Sequence, residues 1–229
     1  MKRSIASKTC SSWCDVSADY DSLQAQWRAL RERLCARELL GPPRASVSMR
    51  IPGGGEMWFG ELGDAAPRRL SWRDAQGLAG DAALHAAVYR ARPDAGGITA
   101  GGGAYGNCLA DFGGTMPQVF DEQARHLGAM GAPAQDDPGL ARALADGGNV
   151  ALLGGRPVCL GMTATRLALN AELFEKCAKA YVLAAAAGGP VRPLPWLVRR
   201  IANGRLRKDA RRAVQRFAQG LLPEEARGY

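Results

Sequence analysis

Apolar residues recur every three or four positions in several stretches of the chain, which is the spacing of amphipathic helices. The first stretch, residues 21–40, places Leu23, Trp27, Leu30 and Leu34 on one face. Further helices are predicted from Leu84 to the residue before Pro93 and over residues 105–109, 121–130, 140–144 and 163–187. A C-terminal helix is predicted to have one apolar face, made of Leu206, Ala210, Val214, Phe217 and Leu221.

Other stretches have the alternation or the short apolar runs of strands. Residues 44–50 alternate, a glycine turn follows at 53–55, and residues 56–59 return as the second strand of a hairpin. A short buried strand is predicted at 96–99, and a second antiparallel pair at 149–153 and 158–160. Residues 70–74 are predicted to connect the hairpin to the Leu84 helix. The pattern therefore predicts an α/β protein.

Composition is that of an ordinary globular domain, with 229 residues, 47% hydrophobic and 23% charged. The longest apolar run, residues 181–187, is too short to span a bilayer, and no signal peptide is visible, so we expect a cytoplasmic protein without a membrane partner. The net charge of +8 is concentrated in residues 192–216, with nine Arg or Lys against Asp209. Such a stretch can bind nucleic acid or acidic lipid, but we interpret it as the solvated face of a helix, so nucleic acid is not an expected partner.

Residues 84–94, Leu-His-x-x-x-Tyr-Arg-Ala-Arg-Pro-Asp, are followed by a strand and a glycine-rich loop. This segment resembles the centre of the class II aldolase/adducin family. The resemblance covers about residues 21–188 and implies an α/β fold with a central, mainly antiparallel sheet covered by helices. It leaves residues 1–20 as a loose N-terminal arm and 189–229 as a basic C-terminal helical extension. It also implies a homo-oligomer, a tetramer in particular, with its clefts between subunits.

The family's zinc ligands are missing from the matching positions. Where the resemblance implies His-x-His, this chain has Ala100 and Gly102, and where it implies the third histidine it has Arg156. His85 and His126 are the two histidines of the chain, so one subunit cannot supply three. We therefore expect neither a metal nor another cofactor.

Two residues carry the candidate chemistry. Asp81 stands at the position of the family's acid/base glutamate, although an aspartate there could simply cap the Leu84 helix. Arg156 could clamp a carboxylate or phosphate or stabilise an oxyanion, although it could also be a solvent-facing turn residue. His85 is either a packed structural residue or a proton carrier. Substrate-binding candidates are Ser46, Gly101, Gly102, Tyr105, Asn107 and Asp121.

Some of these candidates depart from the family pattern. Ser46 replaces an asparagine that helps to hold a phosphate or carboxylate, and Asp121 stands where some relatives have a tyrosine that reaches the neighbouring subunit. Tyr105 and Asn107 follow the glycine loop and could line the cleft, but their pattern also fits a helix N-terminus.

The first functional hypothesis is a metal-free lyase-type protein. It binds a small anionic carbonyl or hydroxy-acid compound and transforms it by retro-aldol cleavage, decarboxylation or proton transfer in an intersubunit cleft. The alternative is a non-catalytic aldolase-like scaffold or binding protein, and a third option is attachment to nucleic acid or membrane through the basic segment. A cleft with buried acids and hydrogen-bond donors for an anion would favour the first hypothesis. A cleft filled by the protein's own side chains would favour the alternative.

Overall fold

The computed structural model describes residues 12–41, 44–74 and 76–225. Within them the chain forms one six-stranded sheet with helices on both faces. The strands are β1 (Ser46–Ile51), β2 (Glu56–Glu61), β3 (Arg68–Ser71), β4 (Gly97–Ala100), β5 (Val150–Leu153) and β6 (Arg156–Gly161). The helices are α1 (Ser12–Ala36), α2 (Gly80–Ala91), α3 (Ala104–Cys108), α4 (Asp137–Leu144), α5 (Ala164–Ala186) and α6 (Trp196–Ala218), with a 3-10 helix at Leu109–Phe112 and a π-helix at Gln123–Leu127.

The strand order is β3-β2-β1-β4-β6-β5, and each neighbouring pair is antiparallel. This confirms the predicted α/β fold with its mainly antiparallel sheet and both predicted strand pairs. β1 is an inner strand between β2 and β4, so its backbone is paired on both sides.

The edge strand β3 was not predicted. Its residues pair with β2 from Glu56 to Phe59, where the sequence indicated only a connecting segment. Arg68 and Arg69 at its start are exposed, and Leu70 is half-buried. The strand therefore lacks the regular apolar alternation that identifies a strand with one buried face.

Each face of the sheet has its own hydrophobic core. On one face α1 and α5 pack over β1, with Trp27, Val47 and Phe174 among the buried residues. On the other face α2 and α4 pack over β2 and β4, with Phe59, Val88 and Ile98 among them. Because consecutive strand residues point to opposite faces, Val47 and Met49 of β1 join the α1/α5 core while Ser46 and Ser48 point towards α2. This alternation sends two hydroxyl groups into the interior.

The N-terminal helix differs from the prediction at both ends. α1 begins at Ser12 and ends at Ala36, against a predicted span of 21–40. Residues 12–20 of the predicted N-terminal arm are thus helical, and residues 1–11 lie outside the described residues. The predicted apolar face is correct, since Leu23, Trp27, Leu30 and Leu34 are all buried.

Two later helices also need correction. The helix predicted over 121–130 is a π-helix of five residues, and the chain leaves it at Gly128 with a left-handed φ of 72°. In α6 the buried stripe includes Leu206 and Phe217, as predicted, but Val214 is half-buried and Leu221 is exposed beyond the helix. The stripe also holds Asp209, whose Oδ2 accepts a bond of 2.5 Å from Arg125.

Candidate functional site

The candidate site is a polar contact between β1 and α2. Ser46 and Ser48 are two apart on a strand, and Asp81, His85 and Tyr89 are four apart on a helix. Two strand residues rise about 6.6 Å and four helical residues about 6 Å, so the two rows of side chains stay in step. All five residues are buried, with at most 4% of any of them exposed.

The hydrogen bonds of these five residues form one chain. Ser46 Oγ donates to Asp81 Oδ2 at 2.7 Å and lies 3.0 Å from His85 Nε2. His85 Nδ1 lies 2.7 Å from Ser48 Oγ, which lies 3.0 Å from the Tyr89 hydroxyl. Because Ser46 uses its single hydrogen on Asp81, His85 must donate from Nε2 and accept at Nδ1. The donors therefore all run in one direction: Tyr89 donates to Ser48, Ser48 to His85, His85 to Ser46, and Ser46 to Asp81.

The burial of this chain changes the acidity of its members. Burial lowers the pKa of His85 to about 3, against the attraction of Asp81, so the imidazole is neutral. Burial also raises the pKa of Tyr89 well above its ordinary value, so its hydroxyl keeps the proton that it donates. His85 is thus a packed residue within a polar network.

Asp81 is the anionic end of the network. Residue 79 is the N-cap of α2 and no side chain caps that end, so the alternative of a capping role for Asp81 is wrong. Instead, Arg156 Nη2 donates to Asp81 Oδ1 at 2.7 Å and Nη1 to Oδ2 at 2.9 Å. Burial raises the pKa of Asp81, but the bonds from Arg156 and Ser46 outweigh it, and the pKa is lowered. The carboxylate is therefore ionised at neutral pH.

Arg156 reaches Asp81 from the neighbouring hairpin. It opens β6 directly after Gly154 and Gly155, whose left-handed φ values of 56° and 81° make a turn that favours glycine. Its side chain is 22% exposed, and its Nη1 also donates to the Arg44 carbonyl at 3.3 Å. The structure therefore brings together Asp81, Arg156 and Ser46, and the alternative of a free, solvent-facing Arg156 is wrong.

The glycine loop lies beside this pair but is closed by the chain itself. Asn107 Nδ2 donates to the Gly102 carbonyl at 3.1 Å. At the start of α3 the Glu175 carboxylate accepts from the backbone N–H groups of Tyr105 at 2.7 Å and Gly106 at 2.9 Å. Tyr105 and Asn107 thus fit the helix N-terminus that the sequence left open as an alternative. Gly102 and Asn107 also line an open groove of about 470 Å³ at the end of α1.

The residues at the zinc positions of the resemblance do not fit a metal. Ala100 and Gly102 have no side-chain atom that could bind a metal, and a Cβ at Gly102 would lie 2.6 Å from Pro157 Cγ. Gly101, with φ at 134°, donates its N–H to the Pro157 carbonyl, which keeps that residue against the loop. In the part of the chain that the structure describes, no group of three His, Cys, Asp or Glu side chains could hold a metal ion.

Asp121 is not brought to the pair. It is exposed and lines a separate surface pocket with Glu122 and Lys176. Four surface pockets of about 390–960 Å³ in the described part of the chain are lined by residues other than Asp81 and Arg156.

The sequence analysis missed Ser48 and Tyr89. A signal for them was present, because Ser46-x-Ser48 has strand spacing and Asp81, His85 and Tyr89 have helical spacing. Only the pairing of that strand with that helix shows that the two polar rows meet.

Known structures identify the fold. L-fuculose 1-phosphate aldolase from Glaciozyma antarctica matches with a TM-score of 0.68 and 14% identity, over 92% of this chain and 94% of that one. YgbL from Klebsiella pneumoniae, provisionally described as an aldolase/epimerase/decarboxylase, matches with a TM-score of 0.64 and 18% identity, over 80% and 98%. An aldolase II superfamily protein from Pseudomonas syringae matches with a TM-score of 0.62 and 14% identity, over 86% of this chain and 89% of that one. The chain therefore has the class II aldolase fold, as the segment at residues 84–94 indicated.

Comparison of the whole sequence with family models and curated proteins does not detect this likeness. No protein-family model matches the sequence, and no curated protein matches it. At identities of 14–18% the comparison defines the arrangement of the sheet and helices, and the chemistry has to be argued from the residues of this chain.

Proposed function

We propose that this protein binds a small carboxylate- or phosphate-bearing carbonyl or hydroxy-acid compound at Arg156 and Asp81, without zinc. The observation that carries the proposal is the buried, bidentate pair of these two side chains. It supplies a cation for an anionic group and a carboxylate for proton transfer, which are the two groups that a metal-free lyase needs most.

The surroundings of Arg156 support the binding of an anion. The N-terminus of α2 carries no side-chain cap, and Ala79 and Gly80 there are exposed. A Cβ at Gly80 would lie 3.1 Å from Arg44 Nη2, so a second guanidinium stands beside this helix end. Free N–H groups at a helix N-terminus and two guanidinium groups all attract negative charge.

Binding would also change the basicity of Asp81. A carboxylate or phosphate that takes over the Arg156 fork removes the bonds that lower the pKa of Asp81, while its burial and the Ser46 bond remain. The pKa then rises, which makes Asp81 a better base for a proton next to a carbonyl. In this proposal Ser46, His85 and Ser48 hold Asp81 in place, and Gly101, Gly102, Tyr105 and Asn107 form the wall of an intersubunit cleft.

The test compares ligand binding by wild type, Arg156→Ala and Asp81→Asn. Calorimetry with small carboxylates and sugar phosphates measures affinity directly, so a change in the stability of the unliganded variants does not obscure the result. We expect Arg156→Ala to lose binding by about tenfold to a hundredfold, as for a lost charge-assisted fork. Asp81→Asn should keep most of the affinity and lose any turnover. Arg33→Ala, which breaks an exposed pair with Glu172, is the control.

The second candidate is a non-catalytic scaffold with the aldolase fold. It is favoured by Pro157, which fills the space beside Gly102, and by the side chain of Arg156 being already bound to Asp81. If wild type and both variants bind no compound of the panel, or bind all of them equally, the scaffold replaces the enzyme. A zinc content of one ion per chain in purified protein would contradict the first candidate, which is proposed to act without zinc.

A further inference from the structure

The outer face of α6 exposes large apolar side chains. Trp196 is 66% exposed, Leu197 53% and Ile201 54%. Leu197 and Ile201 are four apart and therefore adjacent on the helix, and Trp196 lies next to Leu197. These are three of the most exposed large hydrophobic residues of the described chain, and they form one cluster. Such clusters mark surfaces that are covered by a partner or a membrane.

The cluster is independent of the protein core. The opposite side of α6 packs inwards through Ala202, Leu206, Ala213 and Phe217. The helix is therefore held in place without using the apolar cluster, and its outer side is available for another contact.

The remainder of the same outer side is basic. Its exposed cationic residues are Arg200, Arg205, Arg207, Lys208, Arg211 and Arg212. α6 as a whole holds eight Arg or Lys and one acid, Asp209, which is buried and bonded to Arg125. Subtracting these nine residues from the 30 basic and 22 acidic residues of the sequence leaves 22 basic and 21 acidic. The positive charge of the molecule is thus located on this helix.

We propose that the outer face of α6 binds an anionic lipid surface. Trp196, Leu197 and Ile201 enter the interfacial layer, where an indole ring and aliphatic chains are stabilised, while the basic residues contact lipid phosphates. Each Lys or Arg near the membrane surface strengthens binding by its attraction to the acidic headgroups. Insertion of a few apolar side chains strengthens binding further. No helix among the described residues is long and apolar enough to cross a membrane, and a helix that lies on the surface has no such requirement.

Charge distinguishes this partner from the two others that a cationic apolar face could meet. Two copies of this face would bring their arginines together, and the rest of the chain, with 22 basic and 21 acidic residues, has no net negative charge to attract the α6 of a second copy. Nucleic acid would engage the arginines but leave the aliphatic side chains of Leu197 and Ile201 exposed. The proposal departs from the expectation of no membrane partner, which rested on the absence of a spanning segment.

The experiment measures co-sedimentation of the full chain with vesicles of phosphatidylcholine alone or mixed with phosphatidylserine. We expect binding to the mixed vesicles only, weakened by added salt. Leu197→Ser/Ile201→Ser should weaken it by about tenfold or more, because two apolar side chains no longer enter the interface. Arg205→Gln/Lys208→Gln should weaken it by about fivefold per charge removed.

Matched substitutions on other surfaces serve as controls. Leu183 on α5 is exposed to 53%, the same as Leu197, so Leu183→Ser should bind vesicles like wild type. Arg28→Gln/Arg37→Gln, which changes two exposed arginines on α1 and directly after it, is the charge control. Circular dichroism verifies that each variant is folded. The proposal is overturned if the protein binds mixed vesicles no better than neutral ones. It is also overturned if Leu197→Ser/Ile201→Ser and Arg205→Gln/Lys208→Gln both bind mixed vesicles as well as wild type does. It is also overturned if Leu197→Ser/Ile201→Ser changes only the oligomeric state, or if duplex DNA binds while vesicles do not.

Discussion

Asp81 is stabilised as an anion by two neighbours of different kinds. Arg156 provides a full positive charge through two hydrogen bonds, and Ser46 provides one bond that is itself oriented by His85. A buried carboxylate without a cation is strongly unfavourable, whereas a paired one is close to neutral for stability. The pair therefore adds little net stability, although removing one member alone would be costly.

Arg156→Ala should destabilise the fold by about 2–4 kcal/mol, because it leaves the Asp81 charge buried without its partner. Asp81→Asn/Arg156→Ala should recover part of that loss, since no buried charge remains. Urea unfolding of wild type, both single variants and the double variant gives the coupling energy. Arg33→Ala, from an exposed pair, should cost less than about 1 kcal/mol. Equal effects of Arg33→Ala and Arg156→Ala would contradict the buried-pair description.

The lowered pKa values of both histidines predict that the protein loses stability in mild acid. The pKa of His85 is lowered to about 3 and that of His126 to about 4, in both cases mainly by burial, from an ordinary value of 6.5. As pH falls below 6.5 the unfolded chain takes up protons that the folded chain does not, so the free energy of unfolding falls. Each histidine contributes about 1.4 kcal/mol per pH unit in this window.

Urea unfolding at a series of pH values from 6.5 to about 4 tests this directly. His85→Gln and His126→Gln should each reduce the slope of unfolding free energy against pH by about one proton. Asp81 does not interfere, because its lowered pKa removes stability only as pH falls below its ordinary value of 3.8. An unchanged slope in His85→Gln would mean that His85 is protonated in the folded protein.

Sequence reasoning identified Asp81 and Arg156 as candidates but could not show that they touch. Seventy-five positions separate them, and contact depends on the β5–β6 hairpin and α2 meeting at one end of the sheet. Ser48 and Tyr89 were missed for the same reason. Their spacing along a strand and along a helix was visible in the sequence, but the packing of α2 on β1, which brings the two rows together, was not.

Elements with a strong local signal were predicted well. The helix from Thr163 was expected, and Thr163 Oγ1 does accept from the Arg166 N–H at 3.1 Å as an N-cap. The β1–β2 hairpin and the β5–β6 pair also lie where turn glycines and alternation indicated. β3 was missed because an exposed edge strand has no buried residues to set a period. The helix predicted over 121–130 was too long, because a helical segment of five residues is too short for periodicity to fix its bounds.

The glycine loop is packed against β6, which gives a prediction about both elements. Gly102→Ala should destabilise the protein by about 1–3 kcal/mol, because its Cβ would lie 2.6 Å from Pro157 Cγ. Gly102→Ala/Pro157→Ala should recover part of that stability, since the opposing ring is removed. Thermal unfolding of the single and double variants measures the coupling. Gly63→Ala, where a Cβ would meet nothing within 4 Å, is the control. A neutral Gly102→Ala would mean that this side of the loop is open.

Charge is distributed asymmetrically along the chain. The positive charge lies on α6, while the Asp81–Arg156 pair lies at the α2 end of β1 and carries no net charge. The two proposals of ligand binding and lipid binding therefore concern different surfaces. Substitutions in one should leave the other unchanged, which makes their tests independent.

The last prediction concerns assembly. The groove lined by Cys35, Glu38, Gly102 and Asn107 is open to solvent in one subunit, although it adjoins the glycine loop. The family resemblance implies clefts between subunits of a cyclic tetramer, and such a cleft would be completed when another chain covers this groove. A closed ring satisfies every copy of the interface, so the tetramer should be a discrete species rather than a distribution of sizes.

Light scattering coupled to size exclusion measures the mass directly. We expect about four times the chain mass of 24.3 kDa at micromolar concentration. Glu38→Arg, at the exposed rim of the groove, should shift the protein towards smaller species because it changes the charge at the contact. Glu32→Arg, also exposed on α1 but outside the groove, should leave the mass unchanged. A monomer at all concentrations would contradict the tetramer and would leave the candidate cleft to a single chain.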